Sequence, residues 1–171
     1  MFIFNKICYY IEYKRVFIKR LVDAIKILII NGPNLNMLGK REPDVYGKNT
    51  LEDLQYSIKQ TFKDTIDFEF FQSNHEGCII DKLHEANCNF DGIIINPGAF
   101  THYSYAIADA IKSISTKVVE VHISNVHKRE EFRQKSVTAS ACIGQITGFG
   151  FYGYILGVNA IINCEVGIGE K

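Results

Sequence analysis

The sequence predicts an α/β fold built around a five-stranded parallel sheet, and three observations carry that prediction. Short apolar runs recur at regular intervals, segments with helical spacing of apolar residues separate them, and polar residues cluster directly after the runs. At 171 residues, with 47% hydrophobic and 22% charged residues, the chain has the size and composition of one soluble domain.

Strands and helices alternate along the chain from residue 26 onwards. The first predicted helix has Leu51, Leu54 and Ile58 on one face, and Thr50 is placed as its N-cap. Because parallel strands need crossover helices, this alternation predicts a flavodoxin-like three-layer sandwich with ligands bound beyond the carboxyl ends of the strands. In order, the elements are KILIIN (26–31), a helix over 50–62, IDFEFFQ (66–72), a helix over 77–86, DGIIINP (91–97), a helix over 103–114, KVVEVHI (117–123), a short basic helix around KREEFRQKS, the strand CIGQITG, and the apolar segment FYGYILGVNAII.

The first 25 residues differ in composition from the rest. Aromatic and basic residues are mixed there without a clean period, and no apolar run reaches the roughly 20 residues of a membrane span or the roughly 7 to 15 of a signal peptide core. The segment is basic, but it contains no serine and does contain Glu12 and Asp23, which disfavours a transit peptide. We therefore expect residues 1–25 to be an extension outside the fold and residues 26–171 to form a single domain.

The overall charge and the cysteines narrow the class of partner and the compartment. Nineteen basic and nineteen acidic residues give a formal net charge of zero. The chain therefore has no net positive charge that would attract a nucleic acid or an anionic membrane over a long range. Five cysteines are odd in number, lie far apart and form no CxxC, which fits neither a disulfide framework nor a zinc site. This composition predicts a cytoplasmic protein with a small-molecule partner. Four cysteines lie in apolar segments and are expected in the core: Cys78, Cys88, Cys142 and Cys164.

Polar residues follow each of the first four predicted strands. Any one of them has an ordinary structural explanation, since asparagine, glycine and proline make turns and serine or asparagine caps helices. Because the carboxyl ends of parallel strands meet at one edge of a sheet, all four clusters converge, and this convergence predicts a binding site. The clusters are Asn34, Arg41 and Tyr46; Gln72, Asn74, His75 and Glu76; Asn96, Pro97, Gly98, Thr101 and His102; and His122, Ser124 and Asn125.

The residue types at this edge indicate acid and base chemistry. The chain has no GxGxxG and no GxxxxGK[ST], so neither a dinucleotide nor a nucleoside triphosphate is indicated, and no His, Cys or Asp cluster has metal-ligand spacing. Tyr46 is a candidate base, because a guanidinium such as that of Arg41, five residues away, favours a phenolate. His122 is the candidate acid. Glu120, two residues earlier on the same strand, projects to the same face and can orient or charge the imidazole.

Five stretches carry a resemblance that covers residues 26 to about 163. They are NGPNLNMLGKREPDVYG, FFQSNHEG, INPGAFTHYSYAIADA, VEVHISNVHKREEFRQKS and GFGFYGYILGVNAI, and they occur in this order. Together they resemble the motifs of type II 3-dehydroquinate dehydratase. Several long motifs with their catalytic positions filled are far more specific than one short pattern.

The resemblance implies a reaction without a cofactor. In the shikimate pathway, which leads to aromatic amino acids, this family removes water from 3-dehydroquinate by anti elimination through an enolate and gives 3-dehydroshikimate. Tyr46 would accept the proton from C2, and Arg41 would hold the tyrosinate and stabilise the transition state. His122 would protonate the departing C1 hydroxyl, with Glu120 beside it. Asn34 would help to bind a water that stabilises the enolate oxygen, and the loop that carries Tyr46 would close over the substrate as a lid.

The resemblance also implies which residues bind the substrate. The backbone of Ile123 and Ser124, together with Asn96, would hold the carboxylate, and His102 and Arg133 would bind ring hydroxyls. The substrate-binding set is Asn96, Gly98, Ala99, His102, Asp109, Ile123, Ser124 and Arg133.

Two further implications concern the positive field and the assembly. Arg129 lies four residues before Arg133, so a helix there would place both guanidiniums on one face, and Arg129 would add to the field at Tyr46. Asp109 matches a residue that reaches the pocket of a neighbouring subunit. A homo-oligomer is therefore implied, a dodecamer built from trimers.

The sequence leaves open alternative functions from other classes of protein. A flavodoxin-like module that binds a nucleotide or flavin would have the same order of strands and helices. A non-catalytic assembly protein with this fold would have lost Tyr46, Arg41 or His122, and all three are present. The unrelated dehydratases that form a Schiff base need a catalytic lysine, and no lysine here stands in a matching motif.

Overall fold

The computed structural model of the protein describes residues 24–40 and 49–163, and within them the predicted strands form one all-parallel sheet. Its spatial order is β2-β1-β3-β4-β5, the doubly wound order in which the connections leave from β1 in both directions. This confirms the predicted fold class. The strands are β1 (Ile25–Asn31), β2 (Ile66–Gln72), β3 (Gly92–Asn96), β4 (Val118–His122) and β5 (Gly144–Thr147).

Four α-helices cover the sheet, and two of them begin with a side-chain cap. Thr50 precedes the first helix as predicted, and it exchanges hydrogen bonds with Asp53 in a capping box. Ser104 accepts a hydrogen bond from the backbone N–H of Ile107 and caps the third helix. The helices are α1 (Leu51–Phe62), α2 (Glu76–Ala86), α3 (Tyr105–Ser113) and α4 (Tyr152–Asn163).

The hydrophobic core lies on both faces of the sheet. Residues 27–30 of β1 are fully buried because this central strand is covered on both sides, and successive side chains contribute to opposite layers. Helices α1 and α4 pack on the face with Ile27 and Ile29, and α2 and α3 pack on the face with Leu28 and Ile30. The result is the predicted three-layer sandwich.

The short basic helix predicted around KREEFRQKS is not formed. The segment instead contains two 3-10 turns, Val126–Lys128 and Glu131–Arg133, with Arg129 between them in an extended conformation (φ −102°, ψ −173°). The one large apolar side chain of the segment, Phe132, is 63% exposed, so a helix here would have no face to bury. The proximity of Arg129 and Arg133 therefore cannot come from helical periodicity.

The expectation of core cysteines was wrong for two of the positions that the structure describes. Cys78 on α2 and Cys88 after α2 are exposed, and Cys142 is partly buried. Cys164 lies outside the described residues, as do residues 1–23 of the predicted extension and the part of the loop after β1 that carries Arg41 and Tyr46. Across residues 24–40 and 49–163, no helix is long and apolar enough to span a membrane.

Candidate active site

A cavity of about 270 Å³ opens at the carboxyl edge of the sheet, where β1, β3 and β4 end. Its position agrees with the rule that doubly wound sheets bind ligands beyond the carboxyl ends of their strands. The volume suits a molecule the size of one substituted ring. Ten of the predicted site residues line it: Asn34, Asn96, Gly98, Ala99, His102, His122, Ile123, Ser124, Arg129 and Arg133.

Strand β4 supplies a histidine and the carboxylate behind it. Glu120 is fully buried and His122 is 6% exposed, and their positions two residues apart direct both side chains to one face of the sheet. Nε2 of His122 lies 2.7 Å from Oε1 of Glu120. Since an ionised carboxylate only accepts hydrogen bonds, Nε2 donates to it and Nδ1 is the ring nitrogen left for the cavity. The pairing predicted from sequence is therefore confirmed.

Four more side chains donate hydrogen bonds to Glu120. The hydroxyls of Thr101 and Ser136 lie 2.9 and 3.0 Å from Oε1, and Nε2 of Gln145 lies 2.7 Å from the same oxygen. The hydroxyl of Thr138 donates to Oε2. A buried carboxylate must have such partners, because leaving it without them in the interior costs several kcal/mol, on the order of the penalty for any buried ion.

These partners keep Glu120 ionised. Burial opposes its charge, but the hydrogen bond and the charge of His122, together with the hydrogen bonds from Thr138 and Gln145, outweigh burial and hold the pKa of the Glu120 carboxyl below its ordinary value. The pair can therefore hold a proton on the imidazole and a negative charge on the carboxylate. That is the arrangement of a general acid with an orienting carboxylate.

A chain of hydrogen bonds fixes Asn96 at the end of β3. The buried hydroxyl of Tyr154 on α4 donates to Oδ1 of Asn31 at 2.7 Å and accepts from Nδ2 of Asn96 at 2.9 Å. Burial raises the pKa of Tyr154 well above its ordinary value, so its proton stays in place as the donor to Asn31. Oδ1 of Asn96 accepts from the backbone N–H of Gly98 at 3.1 Å. An amide nitrogen has two hydrogens, so one N–H of Asn96 is left for a ligand.

The floor of the cavity requires two glycines. A Cβ atom on Gly32 would lie 2.4 Å from the carbonyl oxygen of Pro97, because the ends of β1 and β3 approach closely there and Gly32 N–H donates to Asn96 O at 2.7 Å. Gly98 has φ +59°, in the left-handed region that favours glycine. These constraints place the backbone of the loop after β3 against the loop after β1.

Asn34 is held in the cavity wall by Gln72, the last residue of β2, and by Asn74, which follows the strand. It has a left-handed backbone (φ 66°), which asparagine tolerates better than most residues. Its N–H donates to Oδ1 of Asn74 at 2.9 Å, and Nε2 of Gln72 donates to the same oxygen at 3.1 Å. Nε2 of Gln72 also lies 3.2 Å from the carbonyl oxygen of Gly32. The polar residues after β2 therefore support the loop that carries Asn34.

Two arginines form the cationic side of the cavity. Nε of Arg129 and Nε of Arg133 lie 3.6 and 3.2 Å from Oε2 of Glu130, which pairs with both. The Arg133 guanidinium also lies 4.8 Å from the centre of the Phe132 ring. The buried Nε of Arg133 is not aligned for a hydrogen bond with any described residue, despite the close carboxylate.

His102 presents an acceptor to the cavity. Its Nδ1 lies 2.9 Å from the carbonyl oxygen of Lys135. A carbonyl only accepts, so Nδ1 carries the hydrogen and Nε2 of the neutral ring is an acceptor. Such a nitrogen suits a ligand hydroxyl.

Comparison with known proteins shows the family to which the chain belongs. The family described as dehydroquinase class II matches residues 25–162. Two proteins called 3-dehydroquinate dehydratase, from Bacillus cytotoxicus and Bacillus anthracis, are each 62% identical over 138 residues, which is 80% of this chain and 94% of theirs. This chain belongs to the dehydroquinase class II family.

Solved structures of type II dehydroquinases have the same fold. That of the Butyrivibrio crossotus protein has a TM-score of 0.79 and 56% identity, and it covers 81% of this chain and 98% of its own. The structure of the Propionibacterium acnes protein has a TM-score of 0.76 and 38% identity, and it covers 80% of this chain and 97% of its own.

Two predicted site residues in the described part of the chain lie outside the cavity lining: Glu120, which is behind His122, and Asp109. Asp109 lies on the exposed side of α3, where it pairs with Lys112 at 3.6 Å. Arg41 and Tyr46 fall in residues 41–48, outside the part of the chain that the structure describes. Within that part, no three His, Cys, Asp or Glu side chains come together in a way that could hold a metal ion.

Sequence reasoning missed most of the hydrogen-bond donors around Glu120. Ser136, Thr138 and Gln145 come from 16 to 25 residues after Glu120, and no spacing rule joins them to it. One signal was available. A glutamate in an otherwise apolar strand must find donors in the core, and the residue opposite it on the next strand, Gln145, is the first candidate.

Proposed function

We propose that the chain catalyses the dehydration of 3-dehydroquinate to 3-dehydroshikimate, the step of the shikimate pathway carried out by type II dehydroquinases. The observation that carries the proposal is His122, hydrogen-bonded to the buried Glu120 and lining a ring-sized cavity at the carboxyl edge of the sheet. Membership of the dehydroquinase class II family supports the choice of substrate.

The first step is removal of a proton from C2 of the substrate. The phenolate oxygen of Tyr46 takes this proton, the C2–H bond breaks, and its electron pair forms an enolate with the C3 carbonyl. Arg41 stabilises the phenolate that acts as the base. Asn34, whose backbone is fixed by Asn74, helps to hold the water that stabilises the enolate oxygen.

The second step expels the C1 hydroxyl. The enolate re-forms the carbonyl, a C1–C2 double bond forms, and the C1–O bond breaks. Nδ1 of His122 gives its proton to the departing oxygen, which leaves as water. Glu120 stays ionised throughout and orients the ring. Return of one proton from Tyr46 to His122 through solvent restores the enzyme, so no cofactor and no redox change are required.

The remaining polar groups bind the substrate. The carboxylate of 3-dehydroquinate lies against the backbone of Ile123 and Ser124 and the free amide N–H of Asn96. His102 accepts a hydrogen bond from one ring hydroxyl, and the guanidinium of Arg133, which lines the cavity, donates to another. Gly98 and Ala99 leave room for the ring beside Asn96, and Arg129 adds positive charge near the anionic substrate.

The protein is also proposed to act as a homo-oligomer in the cytoplasm, a dodecamer of trimers. Exposed Tyr103 and Tyr105 flank the start of α3, on which Asp109 is also exposed, and a neighbouring copy that covered this surface would bring Asp109 towards its pocket. Sedimentation equilibrium tests the assembly. A mass of one or two chains under conditions of full activity would contradict it.

The catalytic domain is proposed to comprise residues 26–171. A shortened chain that begins at Ile25 is expected to fold and to retain activity. Loss of folding or of all activity in that chain would show that residues 1–24 belong to the domain.

Ultraviolet absorbance tests the proposed reaction directly, because the conjugated enone of the product absorbs and the substrate does not. Purified protein mixed with 3-dehydroquinate is expected to generate the enone band, and Tyr46→Phe is expected to abolish it almost completely. Treatment with borohydride in the presence of substrate should leave activity intact, since no Schiff base forms. No band from the folded wild type would refute the proposal.

A further inference from the structure

The hydrogen-bond shell of Glu120 is larger than the orientation of His122 requires. One carboxylate receives five side-chain donors, three of them hydroxyls from Thr101, Ser136 and Thr138. The hydroxyl oxygens of Thr101 and Thr138 lie 2.8 Å apart, and those of Thr101 and Ser136 lie 2.9 Å apart, so the three form one cluster. A single bond from the carboxylate to the imidazole would be enough to fix the ring.

The net charge of the Glu120–His122 pair changes during the proposed reaction. The extra donors can stabilise the state in which the pair is negatively charged. While His122 is protonated, the imidazolium and the carboxylate together are neutral. When His122 releases its proton, Glu120 remains as a buried negative charge without a cationic partner. Such a charge is strongly destabilised in the protein interior unless hydrogen bonds replace the lost ion pair.

We infer that Thr101, Ser136, Thr138 and Gln145 are positioning residues that stabilise the Glu120 carboxylate after His122 has given up its proton, and so make His122 a stronger acid. They act through Glu120 and touch no reacting atom. The inference rests on the proposed function for its catalytic meaning, but the electrostatic effect exists without substrate.

Three of the four donors are placed by different local constraints. Gln145 lies opposite Glu120 in the register of β4 and β5. Thr101 is buried in the turn after β3. Ser136 accepts the backbone N–H of Ala139 at 2.9 Å, which orients its own hydrogen away from that bond.

In the described part of the chain, Cys142 is a further titratable group on which the charge of Glu120 acts. Burial, with a contribution from the charge of Glu120, raises the pKa of the Cys142 thiol well above its ordinary value, so the thiol stays neutral. Its Sγ lies 3.5 Å from the carbonyl oxygen of Thr138. The thiol therefore adds no charge beside the Glu120–His122 pair, and the other charged side chains near His122 in the described part of the chain include Arg129 and Arg133, which line the same cavity.

A merely structural role for these four residues is the competing explanation, since they also join β4 to the segment 136–142 and to β5. The two explanations differ in one measurable respect. A structural role changes the free energy of unfolding, whereas the role inferred here also changes the pH at which the histidine titrates. Removal of a donor destabilises the lone carboxylate more than the neutral pair, because the imidazolium partly compensates for the loss in the neutral pair.

The experiment is a nuclear magnetic resonance titration of the His122 ring in the full-length protein without substrate. The variants are Thr138→Val, which keeps the shape and removes the hydroxyl, and Gln145→Met on the exposed edge strand, where folding is not at risk. The titration midpoint is expected to move to higher pH by about half a unit in each, as partial loss of a hydrogen bond to a charged group predicts. Thr138→Ser should restore the wild-type midpoint. Thr61→Val, a change of the same type on the exposed face of α1, should leave it unchanged.

A midpoint that is the same in the wild type, Thr138→Val and Gln145→Met would overturn the inference, as would a shift to lower pH. With 3-dehydroquinate, the basic limb of the kcat profile should move to higher pH together with the midpoint. The value of kcat at neutral pH should fall by up to about threefold in each variant, the largest change that a shift of half a unit in the pKa of a general acid allows. A wild-type protein that forms no enone would refute the proposed function, and the titration would still decide whether the donor shell acts as inferred. The two failures are therefore distinguishable.

Discussion

Two walls of the same cavity are built in different ways. The strand wall consists of Asn96 and His122 with Glu120 behind them, at the ends of β3 and β4, and it is almost completely buried. Each of its side chains has at least one hydrogen-bond partner within the core. The turn wall is carried by 3-10 turns and the residues beside them: Met37 is 41% exposed, and the Arg129 and Arg133 side chains are 19% and 26% exposed.

This difference indicates that the two walls have different functions in the site. Proton transfer needs atoms held within a few tenths of an ångström, and buried strands with closed hydrogen-bond networks supply that precision. Substrate binding and release need groups that can adjust, and turns near the surface supply them. We therefore expect His122 and Glu120 of the strand wall to control kcat, and Arg129 and Arg133 of the turn wall to control mainly KM.

The largest expected effect follows removal of the acid from the strand wall. His122→Asn should lower kcat about 1,000-fold, equivalent to roughly 4 kcal/mol, with KM changed only a few-fold, because general acid catalysis is lost while the cavity keeps its shape. Steady-state enone formation measures both constants. His84→Asn, on the exposed side of α2, is the control and should behave like the wild type. A kcat within tenfold of the wild type in His122→Asn would remove this residue from the chemistry.

The next effect concerns the network that holds the strand wall together. Tyr154→Phe leaves the buried Oδ1 of Asn31 without its donor and should lower the free energy of unfolding by about 2 kcal/mol. Urea denaturation measures this loss. Tyr56→Phe removes the same hydroxyl from a side chain that is 67% exposed, and it should change stability by less than about 0.5 kcal/mol. Equal stability of the two variants would show that the Tyr154 network does not stabilise the strand wall.

A smaller effect is expected from the turn wall. Arg133→Ala should raise KM about tenfold to thirtyfold and lower kcat by less than that, because a charge-assisted hydrogen bond to substrate is lost while the acid pair is intact. Arg133→Lys should give an intermediate KM, since lysine keeps the charge but not the planar donor geometry. Steady-state kinetics at fixed ionic strength provide the measurement. A loss confined to kcat would assign Arg133 to the chemistry and break the division between the walls.

The smallest expected effect is the contribution of Glu120 in the strand wall to the pH dependence of the free energy of unfolding. The pKa of Glu120 in the folded protein lies below its ordinary value of 4.5, so the unfolded chain binds more protons than the folded chain as the pH falls through this range. The stabilisation is complete above about pH 4.5 and is lost on acidification through the folded pKa. In Glu120→Gln the free energy of unfolding should therefore fall less steeply with acid than in the wild type. Identical slopes in urea denaturation from pH 6 down would contradict this prediction.

The same contrast explains what the sequence alone could predict. The strands of the buried wall were found within one or two residues, and β2 without error, because β-branched and aromatic runs flanked by polar residues have few alternative structures. Glu120 and His122 could be paired from their spacing, since side chains two residues apart on a strand share a face.

The turn wall could not be predicted in the same way. Its charged residues 128–136 have a spacing compatible with a helix, but a helix needs an apolar face to bury, and Phe132 remains exposed. The shell of Glu120 was missed for a different reason. Thr138 meets the carboxylate only because β5 and the segment before it return to the edge of β4, and this long-range contact has no local signature in the sequence.

The most direct test of the strand wall as the catalytic wall is a comparison of wild type with Glu120→Gln in the enone assay. This substitution keeps the size of the side chain and removes the charge that holds His122 ready to donate its proton. We expect a folded enzyme with a KM within a few-fold of the wild type and a kcat lower by about 100-fold. A kcat within twofold of the wild type would contradict it, and the buried carboxylate would then be a structural element of the core.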